Sequence, residues 1–221
     1  MMRGMTPPER DAPTETSATL VSQLIDAGRT VVARGLVQAS GGNLSARIPG
    51  TDSFVVTAAG TWLDRLSPTD FAVMGLDGTR RSGAQRPSVE WKLHQRTYAV
   101  RGDVAAVVHL HPQHVLLVDI LGQPIRLVTS DHQVYVGSVG RTPFLPAGSQ
   151  EIADAAAEAA REHNAVVLAH HGCSALGESV EMALRRALNL EEAATMTYRL
   201  LLAGDTTARF PPEWVGKVVS A

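Results

Sequence analysis

Between residues 19 and 36 the apolar side chains Leu20, Val21, Leu24, Ile25, Val31, Val32 and Leu36 recur every three or four positions, the period of a helix buried along one side. Gly35 ends or loosens it. The pattern then changes: Ala39-Ser40-Gly41-Gly42-Asn43-Leu44-Ser45-Ala46-Arg47 reads as a glycine turn, and apolar runs at 54–57 and 71–74 read as strands. A second glycine turn at 58–61 and a break at Ser67-Pro68-Thr69-Asp70 separate those strands. Leu76-Asp77-Gly78 closes a hairpin, and the polar segment 79–86 is expected to be an exposed loop. A proline in the first turn and a glutamate near the start predict a helix from Pro87 through Val100.

In the second half strands alternate with helices. The apolar run into His109-Leu110-His111 predicts a strand, 113–121 a helix stopped by Gly122-Gln123-Pro124, 125–128 a strand, and 129–149 a polar rim loop. An alanine-rich helix at 151–163 leads to a buried strand at 165–169 running into His170-His171-Gly172, and the last long helix occupies 179–203. A strand-rich middle between helices implies an α/β sandwich with a largely antiparallel sheet.

Composition narrows the function. No repeat or low-complexity linker divides the 221 residues, so residues 19–221 are expected to form one domain. Residues 1–18 carry Pro7, Pro8, acids and hydroxyl residues without an apolar core, and read as a flexible leader, not a signal peptide. A net charge of −2 and the lack of a basic run exclude nucleic acid as a partner. No apolar run reaches the roughly 18–20 residues of a membrane span. Cys173 is the one cysteine, which suits a reducing cytoplasm.

Three stretches carry candidate chemistry. In His109-x-His111 both imidazoles project from one face of a strand, which is half of a metal site or a pair of structural histidines. The Gly41-Gly42-Asn43 turn can cradle an anion or simply reverse the chain. Glu90 shares a helix face with His94, and taken alone it reads as a charge complementing the helix dipole.

Taken in order, Gly42-Asn43-Leu44-Ser45-Ala46-Arg47, Thr57-Ala58-Ala59-Gly60, Pro87-Ser88-Val89-Glu90, His109-Leu110-His111 and His171-Gly172 before the long helix make a set that resembles the class II aldolase/adducin family. It extends over about residues 20–203. The resemblance implies a three-layer α/β sandwich with a central, mostly antiparallel sheet flanked by helices. It also implies a divalent ion in each subunit, zinc first and manganese, cobalt or iron as alternatives, on His109, His111 and His171, with Glu90 as the acid/base. Strand alternation agrees with His171, placing it with Val167 and Ala169 and leaving His170 as a neighbour.

The same resemblance implies a substrate-anion site at Gly42, Asn43, Gly60 and Ser88, with Arg47 either joining it or forming a structural ion pair. Ala59 and Val89 stand where the family's hydroxyls are expected. The family's proton-donating tyrosine comes from a neighbouring subunit of a homotetramer, and its place falls near His132, with Tyr135 three residues on. The implied activity is carbon–carbon cleavage of a hydroxy-ketone or sugar phosphate through a metal-bound enediolate. Decarboxylation of a small hydroxy or aromatic acid is the alternative, and a non-catalytic adducin-like interaction domain the third.

Overall fold

The computed structural model describes residues 15–218. Helix α1 (Glu15–Ala33) leads into strands β1 (Asn43–Arg47), β2 (Ser53–Thr57), β3 (Phe71–Gly75) and β4 (Arg80–Gly83). Helix α2 (Trp91–Val100) is followed by β5 (Ala106–Leu110) and α3 (Gln113–Ile120). A π-helix at His132–Val136 precedes β6 (Val139–Thr142), α4 (Gln150–Ala160), β7 (Ala165–Leu168), β8 (Gly172–Gly177) and α5 (Val180–Leu202). Among the described residues the strands form one eight-stranded sheet in the order β4-β3-β2-β1-β5-β8-β7-β6. The pairs are antiparallel except β6 with β7.

Strand alternation divides the core between two faces. Val55, Ala106, Val108 and Ala175 pack with α1 and α5, whereas Phe54, Val56, Val107 and Leu176 pack with α2 and α4. Farther along the sheet, Ala165 and Val167 lie under α3 and α5, while Val166 and Leu168 face α2 and α4. Helices therefore cover both faces of a mixed, mostly antiparallel sheet, the expected three-layer arrangement.

Several local expectations are corrected. The expected turn through Arg47 becomes strand from Asn43 onward, because β1 pairs with β2 on one side and β5 on the other. Residues 80–83 are not a loop but the edge strand β4, whose exposed polar side chains hide the strand period and suit an unpaired edge. Residues 125–128 form no strand; the sheet is instead extended by β6, which runs parallel to β7 through the α4 crossover that a parallel pair requires. Helix α2 starts at Trp91 instead of Pro87, since Ala58 bridges to Pro87 and holds that segment extended. Of the leader, residues 1–14 lie outside the described residues, and α1 already includes Glu15 to Ala18.

Candidate metal centre and active site

β5 is central, flanked by β1 and β8, and its five residues are all buried. His109 shares the face of Val107 that looks toward α2, and His111 follows two residues on, just past the strand. Their Nε2 atoms stand 3.1 Å apart. His171 arrives differently. β7 ends at Leu168, and a hairpin turn of residues 169–171 leads into Gly172, so the strand alternation expected to orient His171 stops short of it. The turn is closed by His171 N–H donating to the Leu168 carbonyl at 3.0 Å, and His170 adopts φ +56 within it. Asp119 of α3 holds this left-handed residue: its Oδ2 accepts from His170 N–H at 2.9 Å while its Oδ1 accepts from Arg141 Nε at 2.6 Å.

Glu90, immediately before α2, closes the group. Its Oε2 lies 3.1 Å from His109 Nε2 and its Oε1 lies 3.2 Å from His171 Nε2. One ligand atom from each of Glu90, His109, His111 and His171 falls within 4.8 Å of the others. Two glycines make room for this convergence. A Cβ at Gly172 would stand 2.2 Å from the Leu110 carbonyl oxygen and 2.6 Å from a His111 ring carbon. At Gly42, with φ +75, it would meet the His109 carbonyl at 2.7 Å.

Burial, reinforced by the charges of His109 and His171, presses the His111 imidazole down to about 4, and Glu90 opposes the shift. Burial and the His109 charge likewise lower the His171 imidazole. Burial alone would raise the Glu90 carboxyl, but the charge and hydrogen bond of His109, the charge of His171 and the Asn43 amide together hold it well below the carboxylate range. His111 and His171 are thereby biased toward the neutral imidazole, and Glu90 toward the carboxylate. Glu90 Oε1 is buried without a hydrogen-bond partner. Facing imidazole nitrogens and an unsatisfied carboxylate oxygen fit a divalent cation, which needs such lone-pair donors at one point.

The candidate anion residues also come together. Leu44 N–H donates to Thr57 Oγ1, Ser88 N–H to the Thr57 carbonyl and Ala59 N–H to the Arg86 carbonyl. These bonds join the turns that hold Gly42, Gly60 and Ser88. Ser88 Oγ accepts from Glu90 N–H at 3.2 Å, leaving its own hydroxyl proton free to donate. The Asn43 side chain, by contrast, is engaged with Glu90 and His94.

Arg47 is not brought to the cluster. Four residues along β1 from Asn43, it donates to the Arg101 carbonyl at 3.4 Å and stacks over Tyr98. Nor is His132, which is fully buried. Its Nδ1 accepts from Val128 N–H and its Nε2 pairs with Glu192 of α5 at 2.7 Å. Tyr135, half-buried, lies against Arg185 of the same helix. Tyr98 and Asp119 carried no motif of their own; the signal for Tyr98 was the spacing Glu90-x3-His94-x3-Tyr98, matched to Asn43-x-Ser45 on β1, and for Asp119 there was none.

Residues 22–198 match the family model described as Class II Aldolase and Adducin N-terminal domain. The chain belongs to that family, and with this fold it is an enzyme of the class II aldolase group, a metal-dependent family of lyases. It is 33% identical over 80% of its length to 80% of a 5-methylthioribulose-1-phosphate/5-deoxyribulose-1-phosphate aldolase from Rhodospirillum rubrum. An L-fuculose phosphate aldolase from Methanocaldococcus jannaschii is 31% identical, with 81% of this chain and 96% of that one covered. The crystal structure of L-fuculose-1-phosphate aldolase from Thermus thermophilus superposes with a TM-score of 0.76 at 31% identity, covering 86% of this chain and 99% of that one. Among the described residues no helix is long and apolar enough to cross a membrane.

Proposed function

We propose that this protein is a divalent-metal-dependent aldolase that cleaves the carbon–carbon bond of a short ketose 1-phosphate, with His109, His111 and His171 holding the ion and Glu90 as acid/base. The observation that carries the reading is the convergence of three imidazoles and one carboxylate within 4.8 Å. The names of the relatives, aldolases of 5-deoxyribulose 1-phosphate and L-fuculose phosphate, supply the substrate class. A bound ion, zinc first and manganese, cobalt or iron on the same ligands, supplies a Lewis acid that draws charge from a ketone oxygen. Glu90 moves the proton to and from the carbon beside that ketone, the step a well-placed carboxylate speeds by about 10²–10⁴-fold. Gly42, Gly60 and Ser88 offer backbone and hydroxyl donors to the phosphate. In a homotetramer Tyr135 of a neighbouring copy would meet the leaving fragment, a part better suited to it than to the enclosed His132.

The test is aldehyde release from 5-deoxyribulose 1-phosphate and L-fuculose 1-phosphate by zinc-loaded protein, chelator-treated protein and the Glu90→Gln variant. Release that needs both zinc and Glu90 upholds the proposal. A second reading, decarboxylation of a small hydroxy acid, is favoured by Ala59 and Val89, since a site with fewer hydroxyl donors grips phosphate less well. Carbon dioxide released from a small hydroxy acid, with no aldehyde from either phosphate, would replace the first reading with the second.

A further inference from the structure

A ladder of buried side chains runs from Glu90 into the interior. On a helix every fourth residue advances about 6 Å, and on a strand every second residue advances about 6.6 Å. Glu90, His94 and Tyr98 therefore interleave with Asn43, Ser45 and Arg47 of β1. Asn43 Nδ2 donates to Glu90 Oε2 at 2.9 Å, and Asn43 Oδ1 meets His94 Nε2. His94 Nδ1 lies 2.6 Å from Ser45 Oγ, which lies 2.7 Å from the Tyr98 hydroxyl. The Arg47 guanidinium caps the far end over the Tyr98 ring at 5.4 Å. Asn43, Ser45, His94 and Tyr98 are all at most 4% exposed.

The proton positions follow from the carboxylate, which only accepts. Asn43 must turn its NH₂ to Glu90, so its oxygen takes the His94 Nε2 proton. Burial, aided by the His109 charge against that of Glu90, lowers the His94 imidazole to about 3, so the ring carries a single proton. Its bare Nδ1 then accepts from Ser45, and Ser45 accepts from Tyr98. Every bond points toward Glu90, an arrangement in which each donor polarises the next.

We infer that His94 is a positioning residue: through Asn43 it fixes Glu90 Oε2 and leaves Oε1 as the oxygen that meets the substrate proton, while Ser45 and Tyr98 hold the ring in the Nε2–H form. This rests on Glu90 being the acid/base. The role calls for one acceptor and one donor about as far apart as the ring nitrogens, and a glutamine amide presents the same pair.

The experiment compares zinc-loaded wild type with His94→Gln, His94→Leu and Tyr98→Phe. It follows cleavage of 5-deoxyribulose 1-phosphate and deuterium uptake from heavy water into dihydroxyacetone phosphate, with bound zinc measured in each. His94→Leu is expected to lose about 100-fold in kcat and in exchange, the cost of a misplaced catalytic group, with KM and zinc content little changed. His94→Gln restores most of that loss. Tyr98→Phe, which keeps the packing if the leucine variant fails to fold, loses a few-fold in kcat alone. Nitrogen-15 spectra of the His94 ring supply a readout independent of turnover, with Nε2–H expected. An Nδ1–H ring, or leucine and glutamine variants of equal activity, overturns the inference. A wild type inert toward both phosphates removes the acid/base reading instead, while an Nε2–H ring still supports the ladder's direction.

Discussion

The histidines at the candidate metal centre are set in place by two different kinds of structure. His109 lies in β5, where a neighbouring strand on each side fixes the register, and His111 follows directly after the last residue of that strand. His171 belongs to a hairpin turn whose middle residue, His170, is left-handed, and the turn is held by a carboxylate from α3 that is also paired with an arginine of β6. The first pair depends on regular backbone, which unfolds only with the sheet. The second depends on one buried side chain 52 residues earlier in the sequence. Candidate ligands of one centre can thus rest on unequal local stability.

The largest effect should come from removing the chemistry common to both regions. Glu90→Gln is expected to lower kcat by about 10²–10⁴-fold, the range for an acid/base group, while zinc measured after dialysis remains bound. Next, Asp119→Ala should weaken zinc by about 10–100-fold in a chelator competition, as groups that orient ligands do. Ser174→Ala, which removes the contact to His109 Nδ1 at a long 3.4 Å, should cost less than about 1 kcal/mol of binding. Equal losses would break the contrast between strand and turn.

Acidification acts on both regions. His94 and His111 have folded-state values of about 3 and about 4, below the ordinary histidine value, and His171 is lowered as well. A depressed value means that protonation favours the unfolded chain. The stability these groups contribute is complete above about pH 6.5 and is lost as pH falls through that value toward 4 and below. Thermal unfolding of the metal-free protein between pH 8 and pH 4 should show it. The smallest effect is a gain: His170→Gly relieves a left-handed residue and should stabilise the metal-free protein by about 1 kcal/mol, read as a higher Tm.

The helices of the outer layers and the strands that are continuous apolar runs, such as β2, β3 and β7, were legible because period and run length are local properties. β4 and β8 were not: β4 has no apolar face, and β8, Gly172-Cys173-Ser174-Ala175-Leu176-Gly177, is buried on both sides and shows no alternation. At the site, His109-x-His111 and Glu90 could be read from spacing with the aid of the family resemblance. His171 was named from the resemblance, as the histidine directly before Gly172; the strand alternation that agreed with it stops at Leu168, and the turn that presents it leaves no mark in the sequence apart from Gly172.

By itself the sequence determined which side chains could do the work: two imidazoles at strand spacing, a carboxylate opening a helix, and glycines where backbones must approach. Only the tertiary structure decided which of them meet. A four-residue helix step and a two-residue strand step nearly coincide, so packing α2 on β1 threads Asn43, His94, Ser45 and Tyr98 into one line behind Glu90. The same packing carries Arg47 to the far end of that line, and a different one, the π-helix against α5, keeps His132 away from the cluster. Side-chain chemistry is encoded residue by residue, whereas proximity between residues 40 to 80 positions apart arises from sheet order and register, which no local pattern contains.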